Sequence, residues 1–583
     1  MLNENTFFQN NFQPHEDIFV TETAQEFRYS DGGKAELSIA HAIQSSSDLS
    51  SDSSELEKHI KSWPTYYHLD SSRANFFRAL NLTRGKTILE VGSGCGSISR
   101  YLAENSEHVV CVEGSLTRAK VCKSRLKGLD NVTVISCNIN ELLPKKQFDL
   151  VVCNGVLEYS PVYSRSKEAV SDFIKMTADF LDDSGLLILG IENKYGLKYF
   201  QGYPEDHTGL PFDGIQGYLS REPSPMTFSR GKLEEVLGKH YQHLEFYYPF
   251  PDYKHPRLIL SNQALLELNP SELIAIFDKH KAVAQNIFCS TSAWKSICDD
   301  GLVKFFSNSF YVTARKQART LEIVEDQPLI WWYSKNRKRE YQVNAVVRKT
   351  FTNSLIVSKS LRYGNITTDL NEGFEHVLED SKWITEESMA SQIRSRLMKQ
   401  KETRGFIEMS EDLILDWWGN VRYQEGIGRN LEGVYFDFHW YNYFPNSKAK
   451  IDLEWVPRDG VEPLHLVFRS VKCFFQAEKS TALHWSQEAR QATPYTVTKQ
   501  IASLLRLQFS LLLFYNCFMA ERRFLTVVQA HPVGRLQFLV LFMSPVQIKI
   551  LSFCRQLKIN LVLSTKRRLT KLTLYKLVRR LLF

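Results

Sequence analysis

The chain has 583 residues, of which 43% are hydrophobic and 23% are charged. This length exceeds what a single hydrophobic core supports, so we expect two to four domains. The net charge is +7, but residues 484–583 hold sixteen Lys and Arg against two Glu, so the total charge gives no ground for a nucleic-acid partner. The ten cysteines form no CxxC pair, which indicates buried thiols in a reducing compartment rather than a zinc site.

Residues 1–60 are interpreted as an N-terminal extension. The start, MLNENTFFQNNFQPHED, has neither the basic residues nor the apolar run of a signal peptide, so we expect a cytoplasmic protein. The next segment, SWPTYYHLDSSRANFFRAL, combines aromatic residues with a helix that begins after Asp70. Tyr66, Tyr67 and His68 are either ligand contacts or residues that pack this helix onto a sheet.

The segment KTILEVGSGCGSISR, residues 86–100, is predicted to form a buried strand, a glycine turn and the start of a helix. Gly92, Gly94 and Gly96 carry no Cβ, so a ligand can approach the backbone of the turn. Open α/β sheets bind ligands at this place, beyond the carboxyl end of a strand. Ser97 departs from the dinucleotide fingerprint Gly-x-Gly-x-x-Gly, which argues against NAD.

Two acidic residues accompany this turn. Glu90 precedes it, and Glu113 closes the next predicted strand, HVVCVE. A carboxylate at the end of that strand can accept both hydroxyls of an adenosine ribose. The pattern therefore predicts a site for a ligand that contains adenosine.

Strands and helices alternate along the next part of the chain, which predicts a parallel sheet with right-handed crossovers. The predicted strands are His108–Glu113, Val132–Asn138, Phe148–Asn154 and Gly185–Glu192, and the predicted helices are Leu116–Leu129, Lys167–Leu181 and Lys232–Lys239. The stretch HLEFYYPFPDYKHPRLILSN that follows is predicted to be an antiparallel hairpin, whereas a plain NAD domain would continue with another crossover.

Several motifs together resemble the class I S-adenosylmethionine-dependent methyltransferases, and among them a bacterial group found with the synthesis of O-antigen and other surface polysaccharides. These motifs are LEVGSGCGSISRYLAE, WPTYYHLDSSRAN, GVLEYSP, IENKYGLKYFQGYPEDHTGLPFDGIQGY and YYPFPDYKHPRLILS. The resemblance covers residues 25–315. It implies an α/β Rossmann-like parallel sheet closed by an antiparallel hairpin in residues 61–317, S-adenosylmethionine as cofactor, and methylation of a glycan or its lipid-linked precursor.

The resemblance also implies which residues bind the cofactor. Glu113 matches the ribose-binding acid of the family. Asn138 stands where the family often has an acid that binds the adenine amino group, and an amide can still bond to the adenine edge. The full set of cofactor-binding candidates is Glu90, Gly92, Gly94, Cys95, Gly96, Glu113, Asn138 and Asn154.

The acceptor is expected near the end of the fourth strand and the long polar loop 192–221. His207 is the candidate general base for a sugar hydroxyl, with Asp206 or Asp213 to orient it, because histidine titrates near neutral pH. The alternative is a structural histidine that holds the loop. A phosphate acceptor needs no base, and its charge would be bound by Lys194, Lys198 or Arg221. The catalytic candidates are His207, Asp206 and Glu158, and no metal ligand is predicted.

The second half, residues 318–483, is predicted to be a kinase-like α+β domain. Asp437 and Asn442 have the spacing of a kinase catalytic loop, and Asp452 in IDLE resembles the metal-binding acid. Tyr435-Phe436 replaces the His-Arg of that loop, and no glycine-rich loop is visible. A degenerate kinase-like scaffold is therefore favoured over an active kinase.

Residues 484–583 form a basic, apolar tail. Ile501–Ala520 is apolar but is interrupted by Arg506, so a basic stretch on an anionic membrane surface is favoured over a spanning helix. A shifted reading frame is the alternative explanation of this composition.

The sequence predicts a cytoplasmic methyltransferase of a surface-polysaccharide precursor, with peripheral contact to the inner face of the membrane and glycosyltransferases as partners. Two alternatives remain. One is a non-catalytic subunit that recruits glycosyltransferases at the membrane, and the other is a bifunctional kinase and methyltransferase that caps a glycan.

Overall fold

The computed structural model describes residues 7–21, 32–164, 166–218, 224–279, 287–317, 326–334, 337–363, 374–399, 404–423, 430–478, 485 and 489–529. The chain divides into two compact units. The first unit takes residues 1–335, 339–366 and 378–385, and the second takes 336–338, 367–377 and everything from 386.

A sheet of fourteen described strands forms the centre of the first unit. Its strands are β1 (Gln13–His15), β2 (Ile18–Val20), β3 (Thr87–Val91), β4 (His108–Glu113), β5 (Val132–Ser136), β6 (Phe148–Asn154), β7 (Leu181–Glu192), β8 (His243–Phe250), β9 (Leu258–Ser261), β10 (Ser309–Arg315), β11 (Gln327–Tyr333), β12 (Val343–Lys349), β13 (Leu355–Leu361) and β15 (Ser381–Lys382), whereas β14 (Phe374–His376) belongs to the second unit. In space the order is β1-β2-β5-β4-β3-β6-β7-β10-β8-β9-β11-β12-β13-β15.

The predicted parallel sheet is confirmed for β3 to β7, and β2, which was not predicted, adds one more parallel strand beside β5. Each of these strands pairs in parallel with its neighbour in the order β2, β5, β4, β3, β6, β7. Val91 pairs with Val112, so the turn after β3 and the end of β4 lie side by side at one edge of the sheet. The apolar side chains of β3 face both ways, with Leu89 and Val91 in one core cluster and Ile88 in another.

The antiparallel part is larger than the sequence indicated. β8 and β9 form the expected hairpin, but the strand that lies against β7 is β10, which returns from residues 309–315 and inserts between β7 and β8. β9 then pairs with β11, and β12, β13 and β15 extend the sheet. The predicted domain boundary at residue 317 therefore falls within this sheet, between β10 and β11. The strands after the boundary continue the sheet because β11 pairs with the free edge of β9.

Helices cover the sheet of the first unit and connect its strands. They are Gly33–Ser45, Ser54–Glu57, Trp63–Leu69, Asn75–Leu80, Ser97–Glu104, Leu116–Arg125, Ser160–Tyr163, Ala169–Phe180, Leu197–Phe200, Arg230–Leu237, Asn262–Glu267, Ser271–Phe277, Ser290–Asp299 and Val303–Phe306. The described part of residues 1–60 packs against the first unit and does not form a separate extension. Phe7 is buried against Phe148, and Ile39 packs in a cluster with Leu69.

The second unit consists mainly of helices. They are Met389–Leu397, Phe406–Trp418, Pro463–Ala477, Pro494–Leu504 and Leu511–Val528, and the short strands are β14, β16 (Tyr443–Phe444), β17 (Ala449–Lys450) and β18 (Trp455–Pro457). Among the described residues, none of the helices combines the length and the apolar character needed to cross a bilayer. Most of the basic tail, residues 530–583, lies outside the described residues.

Candidate functional site

The glycine turn after β3 is held by hydrogen bonds to the neighbouring strand. The backbone amides of Gly92 and Ser93 donate to the carbonyl of Val112 at 2.8 and 3.1 Å. Gly94 has φ +56°, and its amide donates to Glu113 Oε2 at 2.8 Å. Among the described residues, a Cβ on Gly94 would meet only His68 Cε1, at 3.6 Å, so the backbone of the turn is open on this side. The structure thus has the bare turn that the sequence predicts.

Glu113 lies beside this turn and is 5% exposed. Its Oε1 accepts the Ser115 amide at 2.9 Å, so each carboxylate oxygen already has one backbone donor. Burial raises the pKa of this carboxyl above its ordinary value, while the two amides and the charge of Arg118 oppose that rise. A carboxylate has about four acceptor positions in all, so capacity remains for two ligand hydroxyls.

A cavity of about 320 Å³ opens at this edge of the sheet. Its volume lies at the lower end of the range for small-molecule sites. Six of the eight cofactor-binding candidates line it, namely Glu90, Gly92, Gly94, Glu113, Asn138 and Asn154, and so do all three catalytic candidates, Glu158, Asp206 and His207. The sequence therefore identified a group of residues that the fold brings together.

Two of the cofactor candidates do not line this cavity. Cys95 is buried in an apolar cluster with Ile39 and Leu69. Gly96, at φ +81°, precedes the helix Ser97–Glu104, and a Cβ there would lie 3.2 Å from Cys122. Both residues therefore contribute to the conformation of the turn and not to the wall of the cavity.

The remaining cofactor candidates differ in their surroundings. Burial raises the pKa of Glu90 to about 7, so its carboxyl is largely protonated in mildly acidic solution. The Asn138 side chain accepts the Asn140 amide at 3.1 Å and starts a short 3₁₀ helix. Both polar side-chain atoms of Asn154 are buried without a hydrogen-bond partner in the described part of the chain. Such atoms favour a polar ligand, because buried polar groups are normally satisfied.

His207 is held by a different acid from those expected. Its Nδ1 lies 2.9 Å from Glu205 Oε1, and its own amide donates to Glu205 Oε2 at 2.7 Å, so Glu205 orients the ring instead of Asp206 or Asp213. Nε2 lies 3.7 Å from Glu158 Oε1. Burial opposes protonation of this ring, but the two carboxylates raise its pKa to about 10. An imidazole with this pKa is protonated at neutral pH, so the structure gives no support to the general-base role predicted for His207.

Asp206 belongs to an ion-pair network in the same loop. Its carboxylate lies 2.6 Å from Lys198 Nζ and 2.7 Å from the Tyr199 hydroxyl, and Lys254 Nζ is 3.6 Å away. Burial opposes ionisation of Asp206, but the charges of Lys198 and Lys254 hold its pKa well below the ordinary value. Lys198, proposed above as a phosphate ligand, is therefore already paired. Lys194 does not line the cavity, and Arg221 lies outside the described residues.

The aromatic segment before β3 contributes directly to the cavity. Trp63, Tyr67 and His68 line it, and Trp63 is 52% exposed. Tyr66 instead stacks on His255, with ring centroids 4.0 Å apart. Ligand contact by Tyr67 and His68 stays a prediction, and Tyr66 packs against the loop between β8 and β9.

Sequence reasoning missed several polar residues in or directly behind the cavity wall. Glu192 closes β7 and forms an ion pair with Lys254, and Glu205 binds His207. Glu192 could have been found by the rule that identified Glu113, because it also ends a parallel strand. Glu205 and Lys254 lie in loops, where no periodicity indicates which side chain points inward.

The kinase-like residues lie together in the second unit. Asn442 Nδ2 donates to the carbonyls of Asp437 and Asp452, at 2.9 and 3.2 Å. The Asp437 carboxylate accepts Arg469 at 2.7 Å and the Trp455 amide at 2.9 Å. The kinase-like character of this unit stays a prediction.

Residues 89–189 match the model of a family described as a methyltransferase domain. The chain carries a methyltransferase domain. This match supports the methyltransferase domain predicted from the sequence, and the matched segment contains Glu90, the glycine turn, Glu113, Asn138, Asn154 and Glu158. A search of curated proteins finds no match.

Solved structures similar to the chain include two N-methyltransferases and a complex of DhpI with SAM. Phospholethanolamine N-methyltransferase 2 of Haemonchus contortus is 17% identical, over 42% of this chain and 52% of its own, with a TM-score of 0.26. DhpI, solved with SAM, is 15% identical over 49% of this chain and 100% of its own, with a TM-score of 0.26. The N-methyltransferase NodS of Bradyrhizobium japonicum is 12% identical over 38% and 93%, with a TM-score of 0.25. The chain spans about half the length of the Haemonchus enzyme, and at these TM-scores we draw nothing further from the three.

Proposed function

We propose that the protein transfers a methyl group from S-adenosylmethionine to a glycan, or its lipid-linked precursor, in surface-polysaccharide synthesis. One observation supports methyl transfer. The same cavity is lined by the Gly94 turn and Glu113 on one side and by Asn154 and Glu158 on the other. Glu113 ends β4 and Asn154 ends β6, and these strands are the two neighbours of β3, so a ligand on the turn after β3 lies between Glu113 and Asn154. The choice of a glycan acceptor depends on the resemblance of the loop motifs.

In this proposal Glu113 binds the ribose hydroxyls and Asn138 binds the adenine edge. The acceptor oxygen attacks the methyl carbon in line with the sulfonium. A C–O bond forms, the C–S bond breaks, and its electron pair stays on sulfur. A hydroxyl acceptor also loses its proton, whereas a phosphate oxygen has none to lose. Most of the rate comes from positioning, because an in-line displacement needs the two reacting atoms about 3 Å apart in a site that excludes water.

Cofactor binding tests the first step of this function. We expect isothermal titration of the full chain with S-adenosylmethionine to show micromolar binding that Gly94→Asp abolishes, because the new carboxylate enters the open side of the turn beside Glu113. Gly231→Asp is the matched control, since nothing lies within 4 Å of a Cβ at that exposed helix position. Absence of binding to the unmodified chain would favour a non-catalytic organising subunit.

The acceptor is tested in cells. Mass spectrometry of the surface polysaccharide from cells that lack the gene should show the loss of one methyl group. The fragment ions that lose this mass identify the sugar and show whether the methyl group was on a hydroxyl or on a phosphate. A polysaccharide of unchanged mass would contradict the glycan assignment.

A second activity, phosphoryl transfer by the second unit, is favoured by one observation. Asn442 bonds to the backbone of both Asp437 and Asp452, which places the three kinase-like residues beside one another. A bifunctional enzyme would turn over ATP with Mg²⁺, and Asp452→Ala would lose this turnover while methyl transfer stayed intact. An unmodified chain without ATP turnover in the presence of the glycan would refute this second activity.

A further inference from the structure

Three side chains of the cavity region form a compact group of potential metal ligands. Glu158, Glu192 and His207 each offer one donor atom, and these three atoms all lie within 4.8 Å of one another. They come from separate parts of the first unit: Glu158 follows β6, Glu192 ends β7, and His207 lies in the loop after β7. Two carboxylates and one imidazole are a common ligand set for divalent metal ions in proteins.

Each of the two carboxylates has one oxygen that no described residue binds. Glu158 is 1% exposed and Glu192 is 0% exposed. Within the described part of the chain, Glu158 Oε2 and Glu192 Oε2 have no hydrogen-bond partner. A buried acceptor without a donor costs on the order of 1–3 kcal/mol, and more when it is charged. A cation between the two carboxylates would satisfy both oxygens.

The residues that contact His207 and Glu192 are arranged like the residues that support the ligands of a metal site. A metal-bound histidine commonly donates its other ring N–H to a carboxylate. Here Glu205 Oε1 is 2.9 Å from His207 Nδ1, which leaves Nε2 directed towards Glu158. Glu205 is itself fixed by the amides of His207 and Thr208, both at 2.7 Å. Lys254 pairs with Glu192 Oε1 and leaves Oε2 available.

The local charge also fits a divalent cation. Four carboxylates, of Glu158, Glu192, Glu205 and Asp206, lie here with the two ammonium groups of Lys198 and Lys254. With the protonated imidazole described above the group carries one negative charge in excess, and with the neutral imidazole that a metal ion requires it carries two. Uncompensated buried charge is strongly unfavourable, and one divalent ion cancels this excess.

We propose that Glu158, Glu192 and His207 bind a divalent metal ion of the first transition row, with Glu158 and His207 presenting it to the cavity that they line and Glu192 holding it from behind. Ligand distances for such an ion are about 2.0–2.2 Å, so small rotations of the two glutamates bring all three donors within reach. The imidazole must be neutral to bind, so the ion replaces a proton on Nε2.

The inference extends the proposed methyl transfer to its acceptor. A metal ion acidifies a hydroxyl that it binds, so an acceptor hydroxyl on this ion would release its proton to water and attack the methyl carbon as an alkoxide. The site thereby favours a hydroxyl acceptor.

Mn²⁺ titration followed by electron paramagnetic resonance tests the site, with the full chain first treated with EDTA. We expect one Mn²⁺ per chain. Glu192→Gln and His207→Gln should weaken its affinity by at least about tenfold, and Glu205→Gln by about 10–100-fold, because removal of an outer-shell partner has effects of this size. Glu235→Gln is the matched control, since Glu235 is exposed and pairs only with Lys232 among the described residues. Thermal melting of each variant without metal shows whether it is folded.

Absence of Mn²⁺ binding to the unmodified chain overturns the inference. So does binding that Glu192→Gln and His207→Gln leave unchanged. Titration of the same samples with S-adenosylmethionine separates the two proposals. Cofactor binding without Mn²⁺ binding would refute the metal site alone, and Mn²⁺ binding without cofactor binding would refute methyl transfer and leave the metal site in place.

Discussion

Glu113 provides the most direct test of the adenosine site. Its two oxygens accept the amides of Gly94 and Ser115 at 2.8 and 2.9 Å and face the cavity. In Glu113→Gln an NH₂ group replaces one oxygen. This group cannot accept a hydrogen bond from the backbone amide that it faces, nor one from a ribose hydroxyl. The change therefore removes both the negative charge and one acceptor from the ribose site.

The expected loss follows from this geometry. A hydrogen bond to a charged acceptor contributes about 1.5–3 kcal/mol, against about 1 kcal/mol for a neutral one. One ribose bond lost and one weakened amount to about 3 kcal/mol. This corresponds to about a hundredfold increase in the Kd for S-adenosylmethionine, since each tenfold change is about 1.4 kcal/mol.

Isothermal titration of the full chain measures this Kd. Glu235→Gln, the same substitution at an exposed acid outside the cavity, should bind as the unmodified chain does. The melting temperature without ligand shows whether loss of the amide contacts has disturbed the turn. A Kd within about twofold of the unmodified value, in a variant that melts normally, would refute the ribose-binding role of Glu113.

Three further predictions concern stability. Gly92→Ala places a Cβ 2.5 Å from Val156 Cγ2 at φ +74°, so urea unfolding should show a loss of about 1–3 kcal/mol, of which Val156→Ala in the same chain restores the steric part. Glu90 has its pKa raised to about 7 by burial, so the folded state retains a proton that the unfolded state loses above about pH 4.5. The unfolding free energy of the unmodified chain, relative to Glu90→Gln, should therefore fall by about 3 kcal/mol as the pH rises from about 4.5 to about 7, and a flat difference would contradict this. Arg469→Met removes the cation that pairs with the buried Asp437 carboxylate, whereas Glu521, its second partner, keeps Lys472. The substitution should cost about 3–5 kcal/mol in urea unfolding, against less than about 1 kcal/mol for Arg458→Met at an exposed pair.

The parallel half of the sheet could be predicted from the sequence because its strands are short, continuous apolar runs. Leu89 and Val91 fill one core face and Ile88 the other, so β3 shows no alternation and must be covered on both sides. The insertion of β10 could not be predicted, since its seven residues come more than fifty positions after β8 and nothing local determines which strand they join.

The cofactor part of the site was more predictable than the acceptor part. Glu113 and Asn154 end strands, and strand ends meet at one edge whatever the loops do. Glu205 and Asp206 are adjacent in a loop, so the sequence does not indicate which of them faces His207. The turn at residues 205–208, in which the Glu205 carboxylate accepts two amides, decides it.

The continuation of the sheet past residue 317 determines how the methyltransferase part can be isolated. A recombinant fragment that stops there loses β11. The strand Leu258–Ser261 then becomes an unpaired, apolar edge strand, which favours association between copies. A fragment extended to residue 385 keeps this strand paired, but it also contains residues 336–338 and 367–377, which belong to the second unit. No single cleavage therefore yields two intact halves, and the full-length polypeptide is the appropriate sample for crystallisation and for every assay described above.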